Sequence, residues 1–161
     1  MYITDVWSVV YKIDVRSGTA GQIVWKMDPG VQKPDRNRGV ALWGNLVISV
    51  AGLDGRVIAT DKETGKIVWD KNLHDQPDME ITAAPLALND TVIIGGSGGD
   101  NGVRCWLAAL DAKTCLLYTS DDTTLQQLWK INVGTGFDAP PMTYSVDGKQ
   151  YICLLYTSRC V

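Results

Sequence analysis

The chain reads as a succession of short apolar runs, each closed by a turn carrying glycine, asparagine or aspartate. The clearest case runs from Val57 to Trp69. Val57 and Ile58 suit a strand entering a turn, and Ile67, Val68 and Trp69 suit one leaving it. Between them, Asp61-Lys62-Glu63-Thr64-Gly65 predicts the turn itself. The Asp61 side chain can accept hydrogen bonds from N–H groups two residues on, and Gly65 can take a positive φ. Gly39 to Trp43 and Leu46 to Val50 predict a hairpin about Gly44-Asn45. Gly52-Leu53-Asp54-Gly55 predicts the next turn, before Arg56 to Thr60. Ile81 to Leu88 and Thr91 to Gly95 flank a turn at Asn89-Asp90, and Trp106 to Asp111 predicts a further strand. Met1 to Val10 alternates loosely and predicts one strand. No stretch holds a 3.6-residue apolar period, so an all-β chain is expected.

The central hairpin recurs. Asp14-Val15-Arg16-Ser17-Gly18 repeats its turn and Gln22-Ile23-Val24-Trp25 its exit strand, with Thr19-Ala20-Gly21 enlarging the loop. Ala109-Leu110-Asp111-Ala112-Lys113-Thr114 opens a third copy, and Leu125-Gln126-Gln127-Leu128-Trp129 resembles its exit strand. The turn aspartates Asp14, Asp61 and Asp111 lie 47 and 50 residues apart. A period near 50 made of short strands points to propeller blades. A single hairpin is marginal alone, so the repeat predicts stacking of units through Trp25, Trp69 and Trp129.

Composition narrows the function. The chain has 161 residues and a formal net charge of −3, with no basic face, so nucleic acid is not an expected partner. No apolar run is long enough for a helix to span a bilayer. The lone histidine, His74, and the four cysteines show no metal-ligand spacing, and no Ser/His/Asp arrangement can be built. Cys105 reads as a small buried hydrophobe.

Ala59-Thr60-Asp61-Lys62-Glu63-Thr64-Gly65-Lys66-Ile67-Val68-Trp69 resembles the tryptophan-docking motif of the quinoprotein alcohol dehydrogenases, eight-bladed propellers that use pyrroloquinoline quinone (PQQ). The resemblance covers most of residues 1 to 114 and again about 125 to 152. It implies a partial β-propeller of four-stranded antiparallel blades. It also implies oxidation of primary alcohols to aldehydes, with electrons passing to cytochrome c or ubiquinone, and a periplasmic location. Met1-Tyr2-Ile3-Thr4-Asp5 lacks a basic n-region, so the export signal is expected upstream of it. The other reading of the same motif is a PQQ-like propeller without catalysis, an outer-membrane assembly scaffold.

The resemblance also implies site residues. Ser97-Gly98-Gly99-Asp100-Asn101-Gly102-Val103-Arg104 is similar to a family segment that holds PQQ and an active-site metal. By position, Ser97, Gly98 and Gly99 would contact PQQ, and Asp100 would ligate Ca²⁺ or a lanthanide. A hard cation wants oxygen ligands, so Asp is adequate, though shorter than the family's Glu. Bare glycines let backbone approach a flat ligand closely. The glycine-rich run is neither a P-loop nor a dinucleotide fingerprint, since no Gly-Lys-Ser/Thr follows and no helix opens there. Asn37-Arg38-Gly39 resembles the segment whose arginine pairs with the quinone oxygens, a task suited to a permanently charged guanidinium. Gln32 and Lys33 stand where many members carry adjacent cysteines. Thr82, in Ile81-Thr82-Ala83-Ala84-Pro85, matches a threonine that contacts a PQQ carboxylate. The general-base aspartate and the asparagine metal ligand are expected in blades this chain lacks, and any haem c in a missing domain, so the chain alone is expected to be inactive.

Cys-Leu-Leu-Tyr-Thr-Ser occurs twice, at 115–120 and 153–158, out of phase with the repeat. We expect both copies to be translated adapter or transposon-end sequence, with a genuine repeated strand as the alternative. The expected organisation is early blades over 1–114, a junction over 115–124, a late-blade segment over 125–152 and a foreign tail over 153–161.

Overall fold

The computed structural model describes residues 1–114, 131–132, 142–147 and 149–153. Among them the only helical element is a three-residue 3₁₀ turn, Gly99–Asn101, and the rest is antiparallel strand and loop. The first sheet holds β1 (Tyr2–Thr4), β2 (Val10–Asp14) and β3 (Gln22–Met27). The second holds β4 (Ala41–Trp43), β5 (Leu46–Ala51), β6 (Arg56–Asp61) and β7 (Ile67–Asn72) in sequence order. The third holds β8 (Leu86–Leu88), β9 (Thr91–Gly96), β10 (Trp106–Asp111) and β11 (Ile131–Asn132). Finally, β12 (Met142–Val146) pairs with β13 (Lys149–Cys153), Tyr144 opposite Tyr151. The hairpins at Gly44-Asn45, Asp61 to Gly65 and Asn89-Asp90 follow the turns read from the sequence, and Gly44 takes a positive φ.

Two expectations are corrected. Met1 to Val10 is not one strand. The chain reverses between β1 and β2, because the Asp5 carboxylate accepts the N–H groups of Trp7 at 2.9 Å and Val9 at 3.0 Å. Those bonds hold Ser8 at φ 59°. Ile81 to Leu88 is also shorter than expected, with only Leu86–Leu88 in the sheet. Pro85 has no N–H to give to a ladder, and Glu80 pairs instead with Ser97 as an isolated bridge.

The strict alternation of β5 and β6 explains why the second sheet is central. Ile48, Val50, Val57 and Ala59 face one way and pack with Val92, Ile94, Ala108 and Leu110 of the third sheet. Val47, Ala51 and Ile58 face the other way and pack with Val10 and Met27 of the first sheet. A strand buried on both faces reads as an unbroken apolar run, as Leu46–Ala51 nearly does. Each fully buried Val or Ile contributes about 1.5–3 kcal/mol relative to exposure.

Tryptophans join consecutive units. Trp25 of β3 donates through Nε1 to Lys62 O at 3.0 Å, and its indole covers Gly65 so closely that a Cβ there would lie 2.8 Å from the ring. Trp69 of β7 donates to Ala112 O at 3.3 Å. Lys62 and Ala112 each follow a turn aspartate, so each indole seats on the same point of the next repeat. The two turns match bond for bond. Asp61 Oδ1 accepts from Thr64 N and Oγ1 at 2.8 and 2.9 Å, and Asp111 Oδ1 from Thr114 N and Oγ1 at 2.7 and 2.8 Å. The Thr64 N–H, followed by its hydroxyl, holds the Asp61 carboxyl below the usual range. Trp129, and both hexapeptides apart from Cys153 at the end of β13, lie outside the described residues.

Gly18 and Gly65 share nearly the same φ, +71° and +72°, but only Gly65 lies under an indole. Gly65→Ala is therefore expected to destabilise the chain by about 1–3 kcal/mol more than Gly18→Ala, the cost of overpacking beyond backbone strain. Urea unfolding of both variants checks this, and equal losses would remove the docking contact from the account.

Candidate functional site

The loops that link consecutive sheets meet where the sequence placed its site residues. Residues 28–40 join the first sheet to the second, anchored where Asp35 N donates to Val6 O at 2.7 Å. From this loop, Arg38 Nη1 donates to Thr82 O at 3.0 Å. Arg38 is exposed, and among the described residues no carboxylate pairs with its guanidinium. Thr82 is buried. Its carbonyl is the group that accepts from Arg38.

Two residues before Thr82, Glu80 ties this segment to the glycine-rich loop. Glu80 N donates to Ser97 O at 3.1 Å and Ser97 N to Glu80 O at 2.7 Å. Ser97 Oγ donates to the same Glu80 carbonyl at 3.1 Å. The hydroxyl's lone pairs still leave it able to accept a bond. Gly98 follows at φ +119°, where a Cβ would come within 2.8 Å of Asp78 O and 3.0 Å of Val103 Cγ2. Its lack of a side chain thus lets the loop close against Asp78 O and Val103. Gly99 opens the short 3₁₀ turn, closed by Asn101 N to Gly98 O at 2.8 Å and Gly102 N to Gly99 O at 3.1 Å. Asp100 sits exposed on that turn.

Arg38, Thr82, Ser97, Gly98, Gly99 and Asp100 therefore form a bonded relay. It runs from Arg38 to the Thr82 backbone, along Ile81 to Glu80, and across to the loop bearing Asp100. Direct contact between Arg38 and Asp100 is not part of it. Among the described residues, no group of three or more His, Cys, Asp or Glu is placed to hold a metal ion.

Two carboxylates in this region went unread in the sequence. Asp35 Oδ2 is buried without a hydrogen-bond partner, 2.5 Å from where a Cβ on Gly52 would lie. Glu80 is largely buried, and desolvation, then Asp35, raises its carboxyl above the ordinary glutamate value. Arg36, at 3.8 Å from Glu80 Oε2, opposes that rise, and Asp100 adds to it. In sequence, both acids look like members of solvated polar loops, and only their pairing across 45 residues distinguishes them. Cys105 is fully buried, as expected, and burial pushes its thiol up.

The family model described as glucose/ethanol/alcohol dehydrogenase, beta-propeller domain, named PQQ, matches residues 55–152. The chain belongs to this PQQ propeller family. Among curated relatives, the quinohemoprotein alcohol dehydrogenase of Comamonas testosteroni is 40% identical over 124 residues, covering 71% of this chain and 17% of the relative. The 1-butanol dehydrogenase (cytochrome c) of Thauera butanivorans is 40% identical over 121 residues, covering 69% and 17%. The crystal structure of the Comamonas enzyme superimposes with a TM-score of 0.68 at 36% identity, over 82% of this chain and 19% of that one. BamB from Moraxella catarrhalis superimposes at 0.60, but at 22% identity it shares the fold alone. This member of the PQQ family thus spans about a sixth of the length of the curated relatives it matches.

Glu80 gives a pH prediction. A carboxyl whose folded value is raised binds its proton more tightly when folded, so stability falls as pH rises from the ordinary glutamate value through the raised one. Glu80→Gln is therefore expected to stabilise the chain at pH 7 and to match wild type at pH 4. Thermal unfolding at both pH values measures this, and a variant less stable at pH 7 would show that the Arg36 contact outweighs desolvation.

Proposed function

We propose that this chain carries cofactor-binding loops of a PQQ-dependent alcohol dehydrogenase that oxidises primary alcohols. The observation that carries the reading is Arg38. Among the described residues it has no carboxylate partner, and it is fixed by one N–H to Thr82 O and linked through Glu80 to the Ser97–Asp100 loop. Such a guanidinium retains N–H donors for an anionic or carbonyl-bearing ligand. A quinone with carboxylate groups fits that donor set. Arg38 would bind its oxygens, Thr82 a carboxylate, and Ser97, Gly98 and Gly99 would form the wall beside it.

Bound PQQ supplies a two-electron acceptor for the alcohol carbon. The residues of this chain bind and orient it, and Arg38 stabilises negative charge on an oxygen beside it. Asp100 would offer one oxygen ligand to Ca²⁺ or a lanthanide, with the remaining ligands and the general-base aspartate in blades beyond this chain. Electrons would pass to cytochrome c, as the name of the Thauera enzyme has it for that relative, or to ubiquinone, with haem c as a further carrier outside this chain. The periplasm is the compartment proposed for such an enzyme.

The competing reading, an outer-membrane assembly scaffold, shares the docking tryptophans but calls for no unpaired arginine beside a carboxylate-bearing loop.

Titrating PQQ into the 161-residue chain, followed by tryptophan quenching, tests the proposal. Saturable binding that Ca²⁺ strengthens and EGTA reverses is expected. Arg38→Ala should weaken it about tenfold, the loss of one charge-assisted bond. Asp100→Ala should remove the Ca²⁺ effect and leave the EGTA value unchanged. The chain alone should reduce no dye with ethanol. Binding indifferent to both substitutions and to Ca²⁺ would overturn the reading in favour of a scaffold.

A further inference from the structure

Asn37 is the most fully bonded side chain near Arg38. Its Oδ1 accepts from Thr4 Oγ1 at 2.9 Å and from Gly39 N at 3.0 Å. Its Nδ2 donates to Val50 O at 2.9 Å and to Ser8 Oγ at 3.3 Å. Two donors and two acceptor positions are the whole capacity of an amide, and all are in use. The partners come from different units. Thr4 ends β1, Ser8 lies in the reversal after it, and Val50 belongs to β5 of the second sheet. One planar amide therefore bridges two neighbouring sheets at the loop between them.

We propose that Asn37 is a positioning residue that fixes where the Arg38 guanidinium stands for its anionic ligand. The backbone on both sides of Arg38 is set by this amide. Residue 37 is tied to both sheets, and residue 39 is drawn back onto Asn37 Oδ1 with Gly39 at φ +117°. Arg38 is exposed, so core packing does not determine its path. Its own bond to Thr82 O is the far end of a span whose near end is Asn37. Loss of the amide frees the near end and leaves one neutral acceptor to hold a long, rotamer-rich side chain, which is a weak restraint. No charge-based substitute serves. Aspartate retains the acceptor positions but cannot donate to Val50 O or Ser8 Oγ.

The test has two arms on the full chain. In the first, side-chain ¹⁵N relaxation at Arg38 Nε is compared in wild type, Asn37→Ala and Asn37→Asp, with Thr4→Val removing a single bond. Arg56, held in the second sheet by Asp70 and Pro29 O, is the internal control. Arg38 should be rigid in wild type, mobile in both Asn37 variants and intermediate in Thr4→Val, with Arg56 unmoved. An Arg38 that stays rigid without the amide, or an Arg56 that loosens with it, overturns the proposal, the second outcome marking a merely structural role. The other arm rests on the cofactor reading above and is a double-mutant cycle on PQQ affinity. Asn37→Ala should weaken binding about fivefold when Arg38 is present and have no effect in the Arg38→Ala background. An equal loss in both backgrounds overturns positioning. Wild type that binds no PQQ overturns the cofactor reading instead, and the relaxation arm still decides the role of Asn37.

Discussion

An indole seated on the turn of the next repeat is the contact on which this structure depends. Trp25 bonds to Lys62 O and covers Gly65, and Trp69 bonds to Ala112 O. Neither hairpin that supplies the tryptophan has enough apolar surface to stand alone. Docking joins them edge to turn, and β5 and β6 then bury both faces against the sheets on either side. The turn aspartates make the seat uniform. By collecting Thr64 and Thr114 N–H and hydroxyl groups in the same way, Asp61 and Asp111 present the following carbonyl in the same place.

The candidate site is a consequence of that stacking. Once sheets are spaced by docked tryptophans, the loops between them must run past one another at one end. The loop with Arg38 leaves the first sheet there, the Glu80–Thr82 segment enters the third, and the Ser97–Asp100 loop folds back onto Glu80. Half-buried Glu80 and Asp35, with exposed Asp100, make this a negative region that Arg36 and Arg38 adjoin. Arg36 lies near both acids, whereas Arg38 bonds to a backbone carbonyl, Thr82 O. Among the described residues, Arg38 therefore has no carboxylate partner.

Much of the fold was legible because it is local. Asp61 to Gly65, Gly44-Asn45 and Asn89-Asp90 are turn chemistry, and the strands they connect follow within a few residues. The docking partners were half legible. The repeat identified the tryptophans, but nothing in the sequence says that Trp25 reaches the carbonyl after Asp61. The break at Asp5 was missed because its cause is a side chain bonding to Trp7 and Val9, which loose apolar alternation conceals. In the candidate site, the resemblance named Arg38, Thr82 and the Ser97–Asp100 loop but not the relay that links them. Its bonds are long-range and mostly to backbone carbonyls, Thr82 O and Glu80 O, which carry no sequence signal. Asp35 and Glu80 were missed for the same reason: an acid in a polar loop looks solvated until the fold covers it.

A crystal structure of the 161-residue chain with PQQ and Ca²⁺ bears most directly on the central claim, that stacked docking units bring these loops into one cofactor site. The account predicts the tricyclic ligand against the Arg38 guanidinium and the Ser97–Gly99 wall, with the cation on Asp100 and the Trp25–Lys62 bond intact. Ligand bound elsewhere, or an Arg38 and Ser97 loop held apart while both indoles remain docked, would contradict it.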